Sequence, residues 1–122
     1  QDKVGIIRQE DTLEEASKQI DGLVEKAESI AVAGTRQFNP GWHTALDLKH
    51  LLTVAKACTC SALARKESRG AHSRIDFPDK ETGHWAKHTI GLRKAHDGRM
   101  EVVETPIPDI PSELQKIIEE QG

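Results

Sequence analysis

Residues 67–78 hold the side chains of this chain that are best suited to chemistry. They read Glu-Ser-Arg-Gly-Ala-His-Ser-Arg-Ile-Asp-Phe-Pro, and Arg65 lies just before them. Arginine, histidine and carboxylate groups at this density can form charge-assisted hydrogen bonds, which are stronger than neutral ones. The stretch is either a solvated helix end, where arginines stabilise the last carbonyls, or an ion network that docks the loop. Because guanidinium groups pair with carboxylates through two hydrogen bonds, we favour the network.

A catalytic site of its own has little support in the sequence. Ser73 follows His72 directly, but neighbours in sequence rarely adopt the geometry of a catalytic triad, and no third group is evident. No glycine-rich dinucleotide or phosphate loop is present. We therefore predict no catalytic and no cofactor-binding residues.

Histidine and cysteine pairs raise the question of a metal site. His84 and His88 have the spacing that places two imidazoles on one helix face, but the glutamate of a zinc protease motif is missing. We predict a strand here, on which that offset leaves the rings too far apart to share a metal. Cys58 and Cys60 diverge if they lie on a helix. We predict no metal ligands, because the spacing for a closed four-ligand shell is absent.

Composition bounds the class of protein. A length of 122 residues fits one domain, and the net charge of −3 comes from interspersed acids and bases, which argues against nucleic-acid binding. No apolar run approaches the roughly 18 residues of a membrane helix. The two cysteines are too close for an ordinary disulfide and indicate reduced thiols in a cytosolic protein. The start at Gln1 indicates a processed chain or an excised fragment.

Two long helices must position the charged stretch. Residues 4–8 form a short apolar patch, which we predict as a helical turn. Thr12 and Glu15 match a capping box for a first helix that ends by Gly34. Its apolar face comprises Leu13, Ala16, Ile20, Leu23, Val24, Ala27, Ile30 and Ala31.

The second helix is predicted to start between Pro40 and Thr44 and to end near Arg69 and Gly70. Its predicted inner face comprises Leu48, Leu51, Leu52, Ala55, Cys58, Ala62 and Leu63. Two such helices joined by a short loop should pack as an antiparallel pair.

The remainder predicts a hairpin and a tail. Segments 85–93 and 99–105 alternate around a turn at residues 96–98, as a hairpin would. Prolines at positions 106, 108 and 111 indicate an extended linker. A last helix over 113–120, capped by Ser112 and Gln115, carries Leu114, Ile117 and Ile118 on one side.

These elements predict a mainly α fold, namely an antiparallel helix pair or three-helix bundle, then a small hairpin with an extended tail and a short C-terminal helix. Trp42 and Trp85 are expected to be core or interface anchors whose indole N–H groups need partners. The predicted docking network comprises Arg65, Glu67, Arg69, His72, Arg74, Asp76, Trp85 and His88.

At residues 67–78 the chain closely resembles the C-terminal domain of succinate dehydrogenase and fumarate reductase flavoprotein subunits. The Trp-Ala-Lys-His-Thr segment at 85–89 is similar to that family's Trp-x-Lys-His-Thr, and residues 4–8 with the following helix are similar to the opening of that domain. The resemblance covers residues 4–90 and weakens beyond Leu92.

The resemblance implies that residues 1–92 are the helical C-terminal domain and 93–122 its hairpin and tail. In that family the FAD-binding and capping domains lie upstream and carry the flavin-binding and proton-donating residues. The parent subunit interconverts succinate and fumarate and passes electrons through FAD to iron–sulfur clusters. This segment would be inactive alone, would need no cofactor, and would dock on the upstream domains and near the iron–sulfur subunit.

The same resemblance implies a cytoplasmic protein that is peripheral on the inner face of the membrane through partner subunits. An apolar face left without its parent would drive self-association of the isolated chain. L-aspartate oxidase and adenylylsulfate reductase have related helical domains, although Arg74 favours the dicarboxylate enzymes. The alternatives are a free-standing helical interaction module that uses Trp42, Trp85 and the arginine-rich stretch to bind a protein, and a small metal-binding enzyme.

Overall fold

The structure, a computed structural model, describes residues 3–96 and 99–121. Two long helices dominate it, α1 (Glu10–Glu28) and α2 (Pro40–Ala64). Their contacts run in opposite order, because Glu10 pairs with Lys66 just after α2, whereas Asp21 pairs with Lys56 inside it. The buried apolar residues of the pair are Leu13, Ala16, Ile20, Ala27, Leu52 and Ala62. The predicted mainly α fold with an antiparallel helix pair is confirmed.

The ends of α1 differ from the prediction. The helix begins at Glu10 after Gln9, so Thr12 lies inside its first turn, where the Thr12 hydroxyl donates to the Gln9 carbonyl at 2.9 Å. The predicted capping box at Thr12 and Glu15 is therefore wrong. The helix ends at Glu28. At the next residue, Ser29, both the N–H and the hydroxyl donate to the Lys26 carbonyl, which closes the last turn.

Helix α2 begins where proline and asparagine predict and ends earlier than expected. The Asn39 side chain accepts from the Gly41 N–H at 3.0 Å, an N-cap contact, and Pro40 occupies the first helical position. Arg65 is extended, so the helix stops at Ala64 rather than near Gly70. Of the predicted inner face, Leu52 and Ala62 are buried, but Leu51 and Cys58 are exposed. None of the described helices combines the length and apolarity needed to cross a membrane.

A two-stranded parallel sheet ties the N-terminal segment to the charged stretch. Strand β1 (Ile7–Arg8) pairs with β2 (Ser73–Arg74), with Ile7 opposite Ser73. The helical turn predicted for residues 4–8 is therefore wrong at its end: Ile7 and Arg8 are extended because the Ile6 and Arg8 carbonyls accept from the N–H groups of Ser73 and Ile75.

A short helix, α3 (His84–Lys87), precedes the predicted hairpin. The hairpin consists of β3 (His88–Lys94) and β4 (Met100–Pro106), paired antiparallel with Ile90 opposite Glu104. The predicted division at residue 92 falls inside β3. Of the predicted turn, positions 97 and 98 lie outside the described residues. The strand predicted to start at residue 85 is helical for its first turn.

The last helix, α4 (Ser112–Gln121), is present and is one residue longer at each end than the predicted 113–120, so Ser112 lies inside it rather than capping it. Its apolar side chains are not covered: Leu114, Ile117 and Ile118 are all about half exposed. The helix begins with the Leu114 and Gln115 N–H groups donating to the Pro111 carbonyl.

Candidate docking site: the arginine–histidine loop

Glu67 is the centre of the first half of the charged network. Its side chain is fully buried and accepts hydrogen bonds from Arg65 Nε at 2.7 Å and from Arg69 Nε and Nη2 at 2.8 and 3.0 Å. The Glu81 N–H adds a fourth, at 2.9 Å. The hydrogen bonds from Arg69, above all, and from Arg65 and Glu81 outweigh burial and lower the pKa of Glu67 to about 2. Glu67 is therefore a carboxylate whose lone pairs are filled from within the chain.

Arg74 and Asp76 form the second half and clamp two helix ends. The Arg74 guanidinium, also fully buried, binds Asp76 through two hydrogen bonds of 2.7 and 2.6 Å. Its Nη1 donates to the Ala62 carbonyl at 2.8 Å, in the last turn of α2, where a cation is favoured by the helix dipole. Asp76 accepts from the Glu10 N–H at 3.1 Å, in the first turn of α1, where an anion is favoured.

This clamp explains two errors of the sequence interpretation. Asp76, which lies 66 positions along the chain from Glu10, supplies the cap that the local residues of α1 do not. Arg74 satisfies a late carbonyl of α2, so that helix can end at Ala64. The hydrogen bonds from Arg74, its largest influence, lower the pKa of Asp76 to about 2.

His72 links the network to β1. Its Nδ1 lies 2.6 Å from Arg8 Nη1, and its Nε2 lies 3.0 Å from the Arg65 carbonyl. Because a guanidinium can only donate and a carbonyl can only accept, we assign the proton to Nε2 and a lone pair to Nδ1. Burial, foremost, and the charges of nearby arginines lower the pKa of His72, which favours this neutral ring.

The backbone of the arginine–histidine loop, residues 67–78, is folded around a tight turn at Gly70. Arg69 and His72 exchange both backbone hydrogen bonds, at 2.8 and 3.1 Å, and Gly70 has a φ of 60°. Ser68 completes the turn, since its hydroxyl accepts from the Arg74 N–H and donates to the Phe77 carbonyl, both at 2.8 Å. The loop therefore holds its shape through contacts inside the chain.

Trp85 joins the network, whereas His88 lies apart from it. The Trp85 carbonyl accepts from Arg65 at 3.1 Å, and the Arg65 guanidinium lies 5.3 Å from the centre of the buried Trp85 ring. His88 instead contacts His84, with ring centres 4.2 Å apart and an Nδ1 donor to the His84 carbonyl. The prediction that these two rings lie too far apart is wrong, because the single helical turn of α3 brings His88, at its end, next to His84.

The sequence interpretation missed three participants of the network, namely Arg8, Glu10 and Glu81. Arg8 meets His72, Glu10 lies 3.5 Å from Arg74, and the Glu81 carboxylate caps α3 by accepting from the Gly83 and His84 N–H groups. An acid just ahead of a helix start is a readable capping signal, and Glu81 could have been found by it. Within residues 3–96 and 99–121, no three metal-ligating side chains come together.

Three exposed isoleucines lie at the pairing of β1 with β2. Ile6, Ile7 and Ile75 flank the β1–β2 pairing, and their side chains are 64%, 67% and 63% exposed. Glu67 and Arg74 are thus buried, whereas Ile6, Ile7 and Ile75, here called the isoleucine patch, are exposed.

Comparison with known proteins agrees with the resemblance. Residues 1–117 match the family model described as the fumarate reductase flavoprotein C-terminus. The Coxiella burnetii succinate dehydrogenase flavoprotein subunit is 36% identical over 93 residues, which are 75% of this chain and 16% of that protein. The Mycobacterium tuberculosis fumarate reductase flavoprotein subunit is 39% identical over 107 residues, which are 84% of this chain and 18% of that protein.

A solved structure of similar sequence has the same fold as this chain. Mycobacterium smegmatis Sdh1, in complex with UQ1, superposes with a TM-score of 0.86 and 31% identity over 98% of this chain and 20% of that one. The chain therefore spans less than a quarter of the length of these relatives. Matched over residues 1–117, with the helix pair and hairpin in place, it belongs to the fumarate reductase flavoprotein C-terminal family.

Proposed function

We propose that this chain is the non-catalytic C-terminal docking domain of an FAD-dependent succinate dehydrogenase or fumarate reductase flavoprotein subunit. The observation that carries the proposal is the family match over residues 1–117, combined with coverage of only 16% and 18% of two curated relatives. The parent reaction, interconversion of succinate and fumarate with electrons leaving through FAD to iron–sulfur clusters, comes from those relatives' family. FAD and the catalytic groups belong to the rest of the subunit.

The surface of α2 supports a docking role. Helix α2 carries apolar side chains on more than one side, a pattern typical of a helix in the interior of a larger body. One side of α2 faces α1 through Leu52 and Thr59, which are buried. The other side carries Leu51 and Val54, which are 66% and 60% exposed. We infer that this open side packs against the flavin-binding part of the same subunit.

The isoleucine patch supplies a second contact in the proposal. Because Glu67 and Arg74 are fully buried and paired inside the chain, the network holds the loop in shape, and the isoleucines make the contact. The docking network, without His88, thus acts through positioning. Assembly near the iron–sulfur subunit, and a peripheral cytoplasmic location through partner subunits, follow from the same proposal.

The test places Val54→Asp in the complete flavoprotein subunit, with Thr53→Asp, an exposed neighbour on the same helix, as the matched control. We expect Val54→Asp to lower the yield of flavin-loaded subunit, because it places a charge in an apolar interface, while KM for succinate in the surviving enzyme stays unchanged. Equal yields for the two variants would contradict the docking surface. Succinate-dependent dye reduction by the purified 122-residue chain would contradict the non-catalytic role.

A further inference from the structure

The C-terminal arm, residues 107–121, is joined to the end of α3 by a hydrogen bond from the Ile107 N–H to the Lys87 carbonyl, at 2.8 Å, and extends from there into solvent. Every residue from Glu104 to Gln121 is exposed. The arm leaves β4 after Pro106, passes Pro108 and Pro111, and ends in α4. An amphipathic helix gains most of its stability from packing its apolar face, so a helix with that face open is incomplete by itself.

The arm also holds the net charge of the whole chain. Residues 107–122 carry four acidic side chains and one lysine, a charge of −3, whereas residues 1–106 carry 16 acidic and 16 basic side chains. Such an asymmetry between two parts of a chain points to an interaction with a surface of opposite sign.

The apolar and acidic groups of the arm are arranged side by side. Leu114, Ile117 and Ile118 share one face of α4, at spacings of three and four residues. Ile110 and Ile118 line an open groove whose borders include Asp109 and Glu119. A lysine or arginine fits this groove, because its aliphatic stem can cover the isoleucines while its charged head reaches a carboxylate.

We propose that the arm is a docking helix that inserts its apolar face into a groove bordered by lysine or arginine on a separate protein subunit. A narrow apolar stripe with charges on its flanks is typical of helix-in-groove recognition between separable partners. The open side of α2, which is apolar and broad, suits the permanent packing inside one subunit. The negative charge disfavours anionic lipid surfaces and nucleic acids as partners.

The inference goes beyond the proposed function, since it would stand if the subunit catalysed another reaction. The experiment uses the assembled complex purified from the host. A photo-crosslinking amino acid replaces Leu114, on the apolar face, or Lys116, on the polar face, and mass spectrometry locates the cross-links. We expect strong cross-linking from position 114 to a separate polypeptide, at a site next to lysine or arginine, and weak cross-linking from 116.

Charge reversal supplies the second arm of the test. The triple variant Glu113→Lys, Glu119→Lys, Glu120→Lys should lower the cross-link yield from position 114 by about tenfold at low salt, because complementary rim charges govern association. The matched control, Glu14→Lys, Glu25→Lys, Glu28→Lys, changes the charge equally on exposed positions of α1 and should leave the yield unchanged. Cross-links confined to the same polypeptide or to lipid, or equal losses in both triple variants, would overturn the proposal.

Discussion

Replacing Glu67 by glutamine removes one negative charge from the middle of the network and changes little else. The side chain keeps its size, but one of its two oxygens becomes an NH2 group. Since all four hydrogen-bonding groups around Glu67 are donors, from Arg65, Arg69 and the Glu81 N–H, the new donor faces another donor. The two arginines also lose their counter-charge.

The size of the effect follows from the pKa of the carboxyl. A decrease from 4.5 to about 2 corresponds to roughly 3 kcal/mol in favour of the charged form in the folded chain. Arg65 and Arg69 are 22% and 31% exposed, so water compensates part of the loss once the carboxylate is gone. We therefore expect Glu67→Gln to lower the free energy of unfolding by about 2 kcal/mol at pH 7.

Urea denaturation of the 122-residue chain, followed by circular dichroism, measures this loss. With a slope of about 1–2 kcal/mol per molar urea for a domain of this size, the midpoint should fall by roughly 1–2 M. The control is Glu101→Gln, whose partner Arg93 is 72% exposed and whose own side chain is 46% exposed. An exposed pair contributes at most about 0.5 kcal/mol, so the control midpoint should barely move.

The pH dependence gives the refuting result. A carboxyl with a depressed folded pKa stabilises the fold above its unfolded pKa, and this contribution is lost as the pH falls from about 4.5 to about 2. The difference between wild type and Glu67→Gln should therefore shrink over that range. A loss below about 0.5 kcal/mol at pH 7, or a difference that stays constant down to pH 2, would show that Glu67 does not hold the loop by its charge.

Three further perturbations test the same network. Arg74→Lys keeps the charge but loses the two-pronged contact with Asp76 and the bond to the Ala62 carbonyl, so we expect a loss of about 2–3 kcal/mol in urea denaturation. Because the pKa of His72 is lowered in the folded chain, its contribution to stability is present above about pH 6.5. This contribution is lost as the pH falls toward the lower pKa of the folded state. NMR titration of the His72 ring should therefore show a midpoint below 6.5. Gly70→Ala puts a side chain at a φ of 60°, with nothing within 4 Å of the new Cβ, so the cost is backbone strain of about 1 kcal/mol and the thermal midpoint should drop by a few degrees.

The sequence predicted most of the helices and the hairpin because their signals are local. Apolar spacing located α1 and α2, and the alternation after residue 88 located β3 and β4. The helix ends were predicted less well, since the groups that satisfy them are distant in sequence: Asp76 caps α1, and Arg74 binds the Ala62 carbonyl. No local pattern contains that information.

In the candidate site, too, local features were predicted and contacts between distant residues were not. The density of charges in residues 67–78 predicted an ion network that docks the loop. The structure brings Arg65 and five ionisable residues of that stretch together by hydrogen bonds, with Trp85 as a seventh member, and the docking role stays a prediction. Periodicity could not show that Arg8 meets His72, because a two-residue strand is too short to produce an alternation. The position of His88 was missed for another reason, since the first turn of its segment is helical.

The clamp formed by Arg74 and Asp76 has a consequence for how the helix pair opens. Helix ends ordinarily fray one at a time, at little cost. Here the first turn of α1 and the last turn of α2 both bind the Arg74–Asp76 ion pair. Opening either end therefore removes a hydrogen bond from this pair, whose guanidinium is fully buried. Amide hydrogen exchange at these two ends should therefore proceed through a single cooperative opening, at one common rate. The contact between Arg74 and Glu10 spans 64 positions. Folding must therefore bring these two distant segments together before either helix end is fully hydrogen-bonded.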